Sequence, residues 1–523
     1  MKNVHSGFMR WPLYLFCITM LFASCGESEK KSQHPNIVYI LADDLGYGDV
    51  KAFNENGKIK TPNLDQLASE GMKFTDAHTT SAVCTPTRYG ILTGRYNWRT
   101  RLKERVLWGN SDWGDFRALI SKDRTTIGSM LQTKGYHTAF IGKWHLGWNW
   151  QLDEEGNIMF DKPIEHGPNT VGFDYSYGHI ASLDMPPYVY VENGKSTAIP
   201  EDSTEDTGYM TIWRKGLTAP DFVHEEVTPH FFDKANQYVS EQAGKPSPFF
   251  LYLPLPSPHT PILPIGEWKG KSGLNPYADF VMMVDHYIGS LLETIEESGV
   301  EDNTIVVFTS DNGCSPRARF DELLAKGHDP SYIYRGHKAD IYEGGHRVPF
   351  IVKWPGKVKA GSVCDETICT TDFMATVAEI TGYDLADNEA EDSYSMMPLL
   401  EQKEVDKPFR EGTVHHSVVG EFAIRKGDWK LIMCPGSGGW SFPRHDNQAA
   451  KDTLPDIQLY NLEDDPGETN NLQAEHPEKV RELKSLLSEY ILEGRSTPGK
   501  PQKNDPIDFE WEQADFAEEN HEM

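Results

Sequence analysis

Four short runs along the chain are apolar at nearly every position and then stop at polar residues. Asn36 to Leu41 ends in Ala42-Asp43-Asp44, and Thr138 to Ile141 leads into Gly142-Lys143-Trp144-His145. Phe249 to Leu253 runs into Pro254 and then Ser257-Pro258-His259, while Thr304 to Thr309 stops at Ser310-Asp311-Asn312-Gly313. Continuous rather than alternating apolar character predicts strands buried on both faces. Between these runs the apolar spacing turns helical over Asn63 to Glu70, Thr126 to Lys134 and Pro276 to Ser298, closed by Gly71, Gly135 and Gly299. This alternation predicts an α/β fold, a large mostly parallel or mixed sheet sandwiched by helices. Ligands of such sheets bind beyond the carboxyl ends of the strands, which is where all four polar clusters fall.

The pattern changes after a helical run that ends at Thr381. A charged stretch, Glu389 to Asp392, marks the expected boundary. Short strands follow at Thr413 to His416, Phe422 to Arg425, Trp429 to Met433 and Gln458 to Leu462, and a helix near Lys479 to Glu493 should cover them. The predicted division is a main domain over 35–390, a smaller α+β subdomain with an antiparallel sheet over 391–497, and an acidic, proline-bearing tail over 498–523 that is mobile or wrapping.

The strand ends carry the candidate chemistry. Asp43, Asp44, Asp311 and Asn312 are all oxygen donors, a set that suits calcium or magnesium better than zinc. Taken singly, each pair also fits a plain turn. Lys143 and His145 share a face if their strand continues, with Trp144 on the other. His259 stands between prolines, and Lys338 precedes Glu343-Gly344-Gly345. His337, His346 and Arg335 read as surface or satisfied structural groups.

The most informative stretch is Cys84-Thr85-Pro86-Thr87-Arg88, followed by Leu92-Thr93-Gly94-Arg95. Pro86 suits the first position of a helix, which places Cys84 at an anion-attracting N-terminus and returns Arg88 to the same face. The spacing C-x-P-x-R-x-x-x-L-T-G-R resembles the signature of the formylglycine-dependent sulfatases of the alkaline phosphatase superfamily. The ending Leu459-Tyr460-Asn461-Leu462 with Asp465-Pro466-Gly467-Glu468 resembles that family's C-terminal subdomain. The resemblance implies an alkaline phosphatase-like fold and sulfate-ester hydrolysis. It implies that a maturating enzyme oxidises Cys84 to formylglycine, whose hydrate is the nucleophile, with Arg88 and Arg95 holding the segment. By the same resemblance Asp43, Asp44, Asp311 and Asn312, completed by position 84, hold calcium in preference to magnesium. Lys143, Lys338 and Arg88 stabilise the sulfuryl group, and Asp311 accepts the nucleophile's proton. His259 protonates the leaving oxygen, and His145 removes the second hydroxyl proton.

Composition adjusts this picture. At 523 residues the chain exceeds one ordinary core. A formal net charge of -29 excludes general nucleic-acid binding and requires that positive charge be focused in one cleft if the substrate is anionic. Lys2 and Arg10 before the apolar run Trp11 to Ala23, then Ser24-Cys25, read as an export signal over 1–25. Cys25 resembles the lipidated cysteine of a bacterial lipoprotein, with 26–34 as its tether. The expected location is the periplasm or outer membrane, with membrane contact only through the lipid. The remaining cysteines are too few and irregular for a disulfide framework, and Cys364 and Cys369 fall on opposite faces of an apparent strand.

The substrate is expected to be a sulfated host or algal glycan, with a galactose-type sugar favoured. His179, Asp184 and Arg444, in segments where sulfatases commonly build the sugar subsite, are candidate substrate contacts. Two other functions are weighed: a phosphodiester or phosphonate monoester hydrolase of the same superfamily, and a glycan-binding lipoprotein that has lost catalysis. Asn312 bears on the first, because metal-dependent phosphoesterases of the superfamily usually carry Asp-His-Gly where this chain has Asp311-Asn312-Gly313. The intact set of chemical positions bears on the second.

Overall fold

The computed structural model describes residues 1–3, 7, 34–405 and 408–517. Most of the expected signal, including Cys25, and nearly all of the tether lie outside them. From His34 onward the described residues form one compact unit.

Its centre is the strand Asn36–Asp43, in which every residue is buried. It pairs in parallel with Phe249–Pro258 on one side and Thr304–Ser310 on the other. His137–Lys143 and Tyr175–His179 extend the parallel core. On one side the ten-stranded sheet passes through the antiparallel pairing of Phe350–Lys353 with Met72–Phe74 and ends in Ser362–Cys364, parallel to Met72–Phe74; on the other it ends in the antiparallel pair Val191–Glu192 and Lys195–Ser196. The long central strands follow from their two-sided apolar runs. The short edge strands carry no such run and escape the pattern.

Helices cover both faces of this sheet. Pro62–Glu70, Val227–Ala243 and Pro276–Glu297 pack together as one group, and Cys84–Thr93, Ile127–Thr133 and Asp372–Thr381 as another. Their ends sit where the sequence places them. The Thr126 side chain accepts from the Ser129 N–H, Asn275 caps Ala278, and Gly299 turns away at φ +68°. The helix carrying Cys84 starts at Cys84 itself, so Pro86 is its third residue rather than its first. It still lies in the opening turn, whose N–H groups have no helical partner, so the proline costs nothing there.

The C-terminal sheet, Thr413–His416, Phe422–Lys426, Trp429–Ile432 and Gln458–Asn461, is antiparallel throughout. Helix Pro477–Leu492 covers it with Leu483, Leu487, Tyr490 and Ile491, and Tyr96 and Trp98 from the main domain enter the same apolar core. The tail wraps. Asp505 N–H donates to the Arg99 carbonyl (2.7 Å), Asp505 pairs with Arg95 (3.1 Å), and the Trp511 ring lies against Trp98. One local expectation fails. Cys364 and Cys369 lie on two separate short strands, Ser362–Cys364 and Ile368–Cys369, in different sheets. No disulfide forms among the described residues.

Candidate active site

Register brings the four polar clusters together. Ala42 lies opposite Ser310 and Asp43 opposite Pro258, so Asp43-Asp44, Asp311-Asn312 and His259 leave three adjacent strands at one edge. Asp44 adopts φ +64°, a conformation that costs a non-glycine residue energy and is often kept where function needs it. Its N–H donates to Asp311 Oδ1 (3.2 Å), and Asn312 Nδ2 donates to Asp44 Oδ1 (2.7 Å). Gly313 allows this turn, because a Cβ there would lie 1.9 Å from the Gly344 carbonyl oxygen.

The Cys84 helix points its N-terminus into the same place. One carboxylate oxygen each of Asp43 and Asp311 and the Cys84 sulfur all lie within 4.8 Å of one another, and Asp43, Asp44 and His259 form a second such group. Burial pushes the Cys84 thiol up despite the nearby Lys143 and Lys338, so an unmodified thiol here is a poor thiolate nucleophile. Asp43 behaves oppositely: burial would raise its carboxyl, but Lys143, His259, Arg88 and Lys338 hold it well below the usual range. Asp311 is pushed up by burial and by Asp43, with Arg88 and Lys143 opposing.

Lys143 Nζ meets Asp43 Oδ2 at 2.5 Å, and Lys338 Nζ meets Asp44 Oδ1 at 2.6 Å. Arg88 is wholly buried and its donors are committed to the protein. Nε and Nη2 fork onto Asp311 Oδ2 (3.0 and 2.7 Å), and Nη1 donates to the Lys143 carbonyl (2.8 Å). It therefore anchors Asp311 and the end of the Lys143 strand. Three carboxylates (Asp43, Asp44, Asp311) face three cations (Arg88, Lys143, Lys338), so their charges cancel before anything binds. The donor set fits a hard cation, because the Oδ1 atoms of Asp43 and Asn312 are buried without a hydrogen-bond partner.

The two histidines sit differently. His259 lines the cavity, its Nδ1 donating to the Thr260 carbonyl (2.6 Å) and its Nε2 lying 3.6 Å from Asp44 Oδ2. His145 is not on a continued strand. The strand stops at Lys143, and Gly142 and His145 take φ +136° and +55°. His145 still faces the site by another route. Its Nε2 bonds the Leu107 carbonyl (2.9 Å), Thr85 Oγ1 donates to its own carbonyl (2.9 Å), and its Nδ1 is buried and unpartnered. Burial, then Lys143 and Arg88, hold it well below its usual value, so it is a neutral ring.

A cavity of about 1180 Å³ opens above Cys84, His259 and Lys338. Asp184 and Arg444 line it as expected. His179 does not. It is buried, stacks on Phe231, and is pushed down to about 3 by burial with Lys143 and Arg88. As the residue paired with Lys143 in the sheet, it backs the site rather than facing the opening. Sequence reasoning missed Trp108, Trp113, Arg214 and Arg317 on the walls. Trp113 lay beside glycine in a polar loop, which was the available signal. A second buried cluster, His78, His346 and His415, is closed by ion pairs among Asp76, Glu343, Arg425 and Lys430. The parallel stack of His346 on His415 (3.9 Å, 8°) turns their lone pairs along separate planes, so the cluster reads as a structural joint.

Comparison with known proteins now adds to the geometry. Residues 35–383 match the family model described as Sulfatase, and residues 336–496 match one described as N-sulphoglucosamine sulphohydrolase, C-terminal. The chain is 34% identical over 512 residues to an N-acetylgalactosamine-6-O-sulfatase of Bacteroides thetaiotaomicron, covering 89% of this chain and 96% of that protein. It is 31% identical to human arylsulfatase A, covering 86% of this chain and 87% of the relative. A solved structure from Bacteroides thetaiotaomicron, titled for the metabolism of multiple glycosaminoglycans, superposes with a TM-score of 0.76 at 33% identity, covering 87% of this chain and 99% of that one.

Proposed function

We propose a mechanism from the premise that this chain belongs to the sulfatase family and is a sulfuric ester hydrolase. In it, Cys84 is converted to formylglycine by a maturating enzyme, and its hydrated aldehyde is the nucleophile. The observation that carries this reading is the buried meeting of Cys84 with Asp43 and Asp311 at the floor of a cavity rimmed by Lys338 and His259. Asp43, Asp44, Asp311 and Asn312 would hold calcium, which supplies two positive charges to balance the sulfate ester and the attacking oxygen.

The chain's own residues do the rest. Arg88 fixes Asp311 against the Cys84 helix, so that Asp311 stands within reach of the nucleophile's proton. Lys143 and Lys338 bring positive charge to where the sulfuryl oxygens gain negative charge. His259 keeps Nε2 free of backbone bonds and toward the cavity, in position to hold the proton for the departing alcohol. His145, neutral with an unpartnered Nδ1, is the base for the remaining hydroxyl proton.

Likeness to an N-acetylgalactosamine-6-O-sulfatase supports a 6-O-sulfated galactosamine-type sugar of a glycan as substrate. Export and lipid anchoring through Cys25 complete the reading. Asn312 disfavours the phosphoesterase alternative, since its oxygen replaces the imidazole a two-zinc site would use. The test is a panel of defined sulfated sugars with matched aryl sulfate and aryl phosphate esters. Release of sulfate from the 6-O-sulfated galactosamine sugar, with little phosphate release, is the expected result. Faster turnover of the phosphate ester would overturn it.

A further inference from the structure

The cavity is larger than its floor requires. Its volume of about 1180 Å³ exceeds the roughly 300–1,000 Å³ of pockets that enclose a drug-sized ligand. At the floor Cys84, Lys338 and His259 are 2%, 5% and 7% exposed, whereas Trp113 on the wall is 48% exposed. A half-bare indole on a cavity wall is an unused apolar surface.

That indole is built into place. Trp113 stacks on Trp108 with centroids 5.8 Å apart and planes 22° from parallel. The Arg214 guanidinium lies over both rings, 5.1 Å from Trp108 and 5.6 Å from Trp113. Arg214 is held in turn by Asp184 Oδ2 at 2.5 Å. The loop closes on itself through Trp108 N–H to the Asp115 carbonyl (2.8 Å), and Asp115 is tied to Arg101 (3.1 Å). Gly114 is required, because a Cβ there would sit 2.3 Å from the Trp108 ring. Trp113, Trp108, Arg214 and Asp184 thus form one braced wall of the cavity whose floor holds Cys84.

We propose that Trp113, backed by Trp108 and Arg214, is the stacking platform of a second saccharide subsite, which takes the sugar unit next to the sulfated one. This rests on the reading of the floor as a sulfated-sugar site. A pyranose ring offers a flat face of C–H bonds, and these partly positive hydrogens complement the electron-rich face of an indole. The bracing means little side-chain freedom is lost when the ring settles, so the contact contributes to affinity nearly in full.

The test compares kcat/KM for a 6-sulfated monosaccharide and for the matched disaccharide, in the matured enzyme. The wild type should prefer the disaccharide by on the order of tenfold. Trp113→Ala should bring that ratio near one, and Trp113→Tyr, which keeps a stacking ring, should restore most of it. Calorimetric binding of both sugars to the Cys84→Ala enzyme and to its Trp113→Ala derivative gives the same comparison without turnover, with melting curves to show that each variant is folded. A ratio unchanged by Trp113→Ala, or a wild type that prefers the monosaccharide, would overturn the subsite. Absence of sulfate release from both sugars in the wild type would instead strike the underlying assignment of the floor.

Discussion

Arg88→Ala tests the claim that Arg88 serves as scaffold rather than as a substrate contact. Its guanidinium is fully buried, forks onto one oxygen of Asp311 and bonds the Lys143 carbonyl. Truncation strands a buried carboxylate, and breaking one side of such a pair costs about 3–5 kcal/mol. Water entering the void would offset part of this, which places the expectation near 4 kcal/mol, or close to a thousandfold in the folding equilibrium. Arg88→Lys keeps the charge but loses the two-pronged geometry, so one charged hydrogen bond of about 2 kcal/mol is lost instead. Urea unfolding followed by tryptophan fluorescence reads both variants, with the slope checked because a chain this long need not unfold in one step. Stability and sulfate release should fall together in the order wild type, Arg88→Lys, Arg88→Ala. An Arg88→Ala protein within about 1 kcal/mol of wild type but without activity would refute the scaffold role.

Four further outcomes follow. Chelation should abolish activity and lower the melting temperature, with calcium restoring both better than zinc; two zinc ions per chain would contradict the donor set. His259→Ala should cost on the order of a hundredfold or more on sugar sulfates and far less on an activated aryl sulfate, whereas Lys143→Ala and Lys338→Ala should harm both alike; equal losses for His259→Ala would remove His259 from the acid role. His416 is buried and pushed down to about 4 by that burial, so between pH 6.5 and 4 the unfolded chain takes up a proton that the folded chain does not. Stability should therefore fall as pH drops through that window, by on the order of 3 kcal/mol from this residue, and level off below pH 4; a His416→Gln variant with an unchanged slope in pH-dependent melting would count against it. Trp511→Ala should destabilise by roughly 2 kcal/mol, because Trp511 packs at a tilt against Trp98 and lies under Lys103; an unshifted urea midpoint would show that the tail does not brace the core.

What the sequence revealed followed from the strength of each pattern. Asn36–Asp43 and Thr304–Ser310 are apolar on both faces, a signal that only a central strand produces, and their ends fixed Asp43, Asp44, Asp311 and Asn312 at one edge. The outer strands Met72–Phe74 and Val191–Glu192, each next to the sheet's edge, are too short to carry a period. Lys143 and His145 were assigned by the resemblance; the shared face expected if their strand continued does not arise, because the strand stops at Lys143 and positive φ at Gly142 and His145 turns the chain there. The expectation for His179 came from its segment's resemblance to a sugar subsite, and that says nothing of the sheet partner, Lys143, beside which it is buried. Arg214 and Asp184 meet across thirty residues by folding alone, so no local pattern could pair them.

The measurement that tests the central claim most directly joins chemistry to one residue. The protein is produced with a formylglycine-generating enzyme, the peptide carrying residue 84 is weighed by mass spectrometry, and sulfate release from a 6-sulfated galactosamine sugar is measured for the same sample and for Cys84→Ala. The account predicts loss of the sulfur at residue 84 in proportion to activity, and a folded but inactive alanine variant. Full sulfate release from Cys84→Ala, or from a sample in which Cys84 keeps its thiol, would contradict it.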